Sequence, residues 1–236
     1  MKTENELFEL YQKLLEKIYV DKELYGEDEL TLWSSCVGKD YNNKLMVVGR
    51  AGNGGIIYLD KNKSEYKDQA FVLFKEQFYN GLQWVIDRWG VNDGKYNTKK
   101  SAFWRLSRRL SEELIEKNDF VINKIVYSNL YKISNYEGGN PSNKLMDVQL
   151  DICRKIILKE MELYKPEIVV FFTGLGMAQW FLQDSKNKIT NLNYTYVEFV
   201  GQLNNTIIIV AQHPQGKSEQ ELFEEILSAI NYARNN

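Results

Sequence analysis

Two cysteines, three prolines and a single histidine are all that 236 residues contain of the types that most often build metal centres, disulfide frameworks and sharp chain reversals. Cys36 and Cys153 are too few for a disulfide scaffold, a four-cysteine zinc site or an iron–sulfur cluster. Neither a metal nor another cofactor is expected. No charge of one sign dominates: thirty basic side chains face thirty-two acidic ones. No global field therefore draws the chain to nucleic acid or an anionic membrane, and any DNA contact must come from a local patch. Long hydrophobic runs are also missing. The longest, IVVFFTGLGMAQWFL, falls short of a membrane span, and MKTENELFEL has no apolar centre of the kind a signal peptide needs. A soluble, cytoplasmic, monomeric protein is the expectation, with no membrane partner.

What is present is a folding composition, 44% hydrophobic and 13% aromatic. Such a chain has enough apolar surface to offset its conformational entropy, and its length favours one domain over residues 1–236. Residues 5–19 place Leu7, Leu10, Tyr11, Leu14, Leu15 and Ile18 at helical spacing, predicting an extra amphipathic helix ahead of the main fold. Four apolar runs then read as strands: LMVVG at 45–49, VINKIVYSN at 121–129, EIVVFFTG at 167–174 and TIIIVAQHP at 206–214. The last is a candidate to pair with 194–200 across a polar turn. Helical periodicity occupies 68–88, 101–117, 144–163, about 176–184 and 218–233. Continuous apolar strands separated by helices indicate a sheet buried on both faces. The expected fold is a three-layer α/β/α sandwich around a mainly parallel, four-stranded sheet.

Ligands bind such sheets at the carboxyl ends of the strands. Standing there are GRAGNGG, SNLYKIS, TGLG and QHPQGKS. The first loop has four glycines in seven residues but fits neither GxxxxGK[ST] nor GxGxxG, which disfavours nucleotide binding of those kinds. Its glycines suit either a tight turn or close approach by a ligand. A lone histidine is commonly structural. His213, however, ends an apolar strand, is held extended by Pro214 and stands just ahead of a helix. Asn129 closes another strand, and its carboxamide complements the edge of a pyrimidine, as it would also suit a buried strand cap. The segment KYNTKKSAFWRLSRRL carries Lys99, Lys100, Arg105, Arg108 and Arg109 among aromatics, a pattern for either a DNA backbone or a solvated helix face.

In their order and spacing over roughly residues 44–220, these motifs resemble the uracil-DNA glycosylase superfamily. KLMVVGRAGNGG takes the place of its first motif (GQDPY, GINPG or GEAPG) and IIIVAQHPQGKS that of its HPSxx motif. VYSNLYKIS is similar to the strand whose asparagine reads the pyrimidine, and SAFWR resembles the NRFW segment of the mismatch-specific branch. The resemblance implies a base-excision enzyme that takes a flipped base from DNA and cleaves its N-glycosidic bond. His213 then takes the histidine role and Asn129 the base-reading role, beside Gly49, Arg50, Ala51 and Gly52 of the first motif. Candidates for the aromatic wall are Tyr58, Phe103 and Trp104, and for DNA contacts Lys217, Lys99, Lys100 and Arg105.

The sequence departs from the family at the position of its acid or amide, where Arg50 and Ala51 stand, and Gly52 replaces the proline. Asn53 is the candidate to position water if the loop is rebuilt around its glycines. The serine of the second motif is Gln215, with Gly216 and Lys217 in place of the bulky plug. The alternative implied is an inactive member that binds a base or nucleic acid without cutting it.

Overall fold

Short runs of β-branched and aromatic residues become strands because such side chains pack well on a pleated surface. The computed structural model describes residues 2–52, 57–60, 62, 63, 68, 71, 72, 81–183, 186–189 and 193–235. Among these the elements are α1 (Lys2–Val20), β1 (Glu29–Leu32), β2 (Cys36–Val37), β3 (Leu45–Gly49), β4 (Ile57–Asp60), α2 (Gln83–Asp87), α3 (Ala102–Leu114), β5 (Ile125–Asn129), β6 (Ile133–Asn135), α4 (Asn143–Tyr164), β7 (Ile168–Phe172), α5 (Leu175–Ala178), β8 (Lys186–Ile189), β9 (Val197–Leu203), β10 (Thr206–Ala211) and α6 (Glu219–Asn235).

The main sheet has the order β2-β5-β3-β7-β10-β9-β8. The four strands expected from sequence are its centre, β5, β3, β7 and β10, and β3–β7 and β7–β10 pair in parallel. Among the described residues the sheet has seven strands where four were expected. β9 pairs antiparallel with β10, as the polar turn suggested, while β2 and β8 form the edges. These edge strands carry no sequence signal, since CV is two residues long and KNKI alternates no apolar face. The strand expected from residue 121 begins at Ile125, because Val121–Lys124 winds into a 3₁₀ turn. α5 ends at Ala178, short of the predicted 184. Of the helix expected over 68–88, α2 is the continuous part that is described.

The chain divides into two compact units, Met1–Ser35 with Gly49–Tyr79 and Ser128–Tyr164, and Cys36–Val48 with Asn80–Tyr127 and Lys165–Asn236. In the second unit, register aligns Leu45 with Ile168 and Ile207, and Val47 with Val170 and Ile209. This face packs with Phe103, Leu106 and Leu110 of α3 and Leu222, Ile226 and Ile230 of α6. The intervening residues Met46, Val48, Val169, Phe171, Ile208 and Val210 are buried as well. The sheet is therefore covered on both faces, which explains why its strands do not alternate polar with apolar. The fold is α/β with a mainly parallel central sheet, as expected. The first unit contains a second sheet that the sequence did not announce: β1 pairs antiparallel with both β4 and β6. In that unit α1, present as predicted, packs along α4.

In the second unit Glu167, just before β7, binds Lys44 and, at 2.8 Å, Arg234 near the end of α6. Burial raises its carboxyl pKa, but the two cations outweigh that effect and leave it lower than usual. A depressed folded pKa means stability present above the unfolded value of about 4.5 and lost as pH falls through the folded value. The carboxylate side chain is 41% exposed, so screening limits the contribution to about 0.5 kcal/mol. Urea melts at pH 7 and pH 3 should show this loss in the native chain and not in Glu167→Gln. Equal pH dependence in both would refute the assignment.

Candidate functional site

Gly49 ends β3, and the following loop is tied to the segment after β5 by successive backbone bonds. Leu130 N–H donates to Gly49 O at 2.9 Å and Tyr131 N–H to Arg50 O at 3.0 Å. The Ser134 hydroxyl donates to Gly52 O at 2.9 Å. Asn129, 1% exposed, is thereby placed at the strand end beside Gly49, Arg50, Ala51 and Gly52, all within the first unit. Asn53 lies outside the described residues.

What sits against Gly52 is the indole of Trp33. A Cβ on Gly52 would lie 1.6 Å from Trp33 Nε1 and 1.9 Å from Cδ1, so this position is glycine because the ring occupies the space. Trp33 is anchored by its backbone N–H, which donates to Lys132 O at 2.8 Å. Sequence reasoning missed Trp33; its signal was a lone tryptophan closing the short strand-like ELTL run. Gly52→Ala is expected to cost about 1–3 kcal/mol through overpacking, and Gly52→Ala with Trp33→Leu to cost less than Gly52→Ala alone. Urea midpoints measure both. A neutral Gly52→Ala would show that the indole does not constrain the loop.

The second unit holds the histidine. His213 follows β10 by two residues, is half-buried, and its Nδ1 accepts the Gln215 N–H at 3.2 Å. Lys217 N–H closes the turn onto Pro214 O at 3.1 Å, and Gly216 adopts φ 76°, a conformation that favours glycine. The side chain of Lys217 is exposed. α6 follows, with Glu219 and Glu221 in its first turn, where negative charge is favourable.

Phe103 and Trp104 belong to an aromatic cluster of the second unit. Their rings meet edge to face at 5.1 Å, and Tyr127 lies 5.5 Å from Phe103 and 4.9 Å from Trp104. Phe172 stands 5.4 Å from Phe103. Both side chains are buried core residues here. Tyr58 meets Tyr136 edge to face at 5.0 Å and donates its hydroxyl to Glu29 in the small antiparallel sheet.

The cationic segment is largely committed to intramolecular partners. Arg105 forms a two-pronged pair with Glu219 and also donates to Lys99 O. Arg108 reaches Glu112 and Asp119, each at 2.8 Å, and covers Trp89; Arg109 covers Phe223. Lys99 and Lys100 are exposed on their 3₁₀ turn. Glu219, distant in sequence, and the nearby Glu112 and Asp119 neutralise much of what the local sequence presented as a basic run.

Cys36 and Cys153 are buried, and burial pushes the Cys153 thiol up to about 12. Among the described residues, no three His, Cys, Asp or Glu side chains are grouped to hold a metal ion. Among the same residues, no helix is long and apolar enough to cross a membrane.

No curated protein matches the chain significantly. The family model of the uracil DNA glycosylase superfamily matches residues 37–232, a span that runs from before β3 to within α6 and includes both the glycine-rich loop and the His213 turn. With a mainly parallel sheet carrying Asn129 and His213 at its strand ends, and with most of its length matching that model, the chain belongs to the uracil-DNA glycosylase superfamily.

Proposed function

We propose that the protein recognises a modified or mismatched base in DNA and hydrolyses its N-glycosidic bond. Family membership supports an interaction with DNA. The observation that carries the reading is the hydrogen bond from Gln215 N–H to His213 Nδ1. With Nδ1 occupied as an acceptor, a neutral imidazole carries its proton on Nε2 and donates from there. Such a donor suits a base oxygen on which negative charge develops as the C1′–N bond breaks. Asn129 offers one acceptor and two donors to the edge of the base. Water then adds to C1′ of the oxocarbenium-like sugar and gives up a proton that neutralises the departed base anion, leaving an abasic site and the free base. Asn53 is the proposed water-positioning group.

A second reading has its own observation. Arg50 stands where the family carries an acid or amide, and a guanidinium disfavours a neighbouring sugar cation while suiting a phosphate. On that reading the protein binds the base without cutting. Single- and double-stranded oligonucleotides carrying uracil, hypoxanthine, xanthine or a G·T mismatch, treated with alkali after incubation, separate the two. Cleavage lost in His213→Ala supports the hydrolase; base-dependent binding without cleavage supports the module; the absence of both cleavage and binding would overturn both readings.

A further inference from the structure

Behind the strand end that carries Asn129, in the first unit, lies a charged network that base recognition does not itself use. Lys132 and Glu160 are fully buried. Lys132 Nζ stands 2.9 Å from Glu160 Oε1, 3.0 Å from Oε2 and 2.6 Å from Ser128 Oγ, which matches the three donors of an ammonium. The Ser128 hydroxyl donates to Glu160 Oε2 at 2.7 Å, and Tyr11 of α1 donates to Oε1 at 3.0 Å. Burial, and then the Glu160 charge, raise the Tyr11 pKa well above its ordinary value, so it remains a donor.

Burying an ion pair is a poor route to stability, because the desolvation cost offsets the attraction and apolar replacements often do as well. What a satisfied network supplies is one defined geometry. Here that geometry falls on Asn129. Ser128 and Lys132 stand on either side of Asn129–Tyr131, and the bond between their side chains closes that arc. The rest of the arc is held too: Leu130 and Tyr131 donate to the first-motif loop, and Lys132 and Ile133 N–H both donate to Gln149 Oε1, at 3.1 and 2.9 Å. Tyr11 is the one member of the network that lies ahead of the family-matched residues.

We infer that α1 is a positioning element for base recognition, acting through Tyr11, Glu160, Lys132 and Ser128 to hold the Asn129 carboxamide in the orientation that selects a base. This rests on the reading of Asn129 as the base-contacting group. Tyr11 is a positioning residue and touches no substrate.

The test compares affinities, by fluorescence anisotropy, for duplexes identical except for uracil, hypoxanthine, xanthine or a tetrahydrofuran abasic site at one position. Tyr11→Phe is expected to lower the preference for the best-bound base over the abasic site roughly five- to tenfold, about the effect of one hydrogen bond. Leu14→Ala, which loosens the buried face of α1 and removes no hydrogen-bonding group of the network, should lower Tm and leave the preference intact. A Tyr11→Phe protein that keeps the full preference, or a preference that falls with Tm equally in both variants, overturns the inference while the reading of Asn129 stands. If the unmodified protein prefers no base over the abasic site, the reading of Asn129 fails and the inference fails with it.

Discussion

His213→Ala is expected to slow base release about 10²–10³-fold, equivalent to about 3–4 kcal/mol of transition-state stabilisation. The size follows from removing one preorganised donor from an atom that becomes charged only as the bond breaks. An interaction made mainly in the transition state lowers kcat when it is lost and leaves substrate affinity nearly unchanged. On the proposed hydrolytic reading, single-turnover cleavage of a base-modified oligonucleotide is the appropriate measurement. His213→Asn should recover part of the rate, since a carboxamide retains an N–H donor. A variant that cleaves at the native rate would remove His213 from the mechanism. A variant that loses only affinity would assign it to binding.

Removing Lys132 alone should be the most destabilising single change within the charged network. Lys132→Met leaves the Glu160 carboxylate buried with Tyr11 and Ser128 as its remaining donors, and breaking a buried pair costs about 3–5 kcal/mol. Combining it with Glu160→Leu removes the stranded charge and should recover most of that loss. Urea denaturation of the native, single and double variants forms the cycle. The prediction fails if Lys132→Met costs less than about 1 kcal/mol, or if the double variant is no more stable than the single one. Should the double variant recover stability while base preference stays low, the network's geometric role would be separated from any contribution to folding.

Local patterns revealed the central sheet because a strand buried on both faces must be apolar throughout. LMVVG, IVVFF and TIIIVA satisfy that condition and occupy β3, β7 and β10. β1 escaped notice because ELTL is short, and its partners β4 and β6 come from distant segments. Lys132 was even less legible. Lysine is seldom fully buried unless paired, and nothing beside it in SNLYKIS supplies an acid. A signal did exist elsewhere: Gln149 and Glu160 interrupt the apolar stripe formed by Leu145, Cys153, Ile156 and Tyr164 on α4. Polar groups on a buried face require partners, and these two bind Ile133 and Lys132.

By itself, the sequence determined the layered α/β class and the placement of Asn129, His213 and the glycine-rich loop at strand ends, because hydrophobic periodicity and strand termini are encoded within a few neighbouring residues. Tertiary structure alone decided that Trp33 fills the space over Gly52, that Arg105 is bound by Glu219, and that Tyr11 reaches Glu160. Each of those outcomes depends on side chains far apart in the chain. Their partners are chosen by packing and by the need to satisfy buried charge, and neither is written in local order.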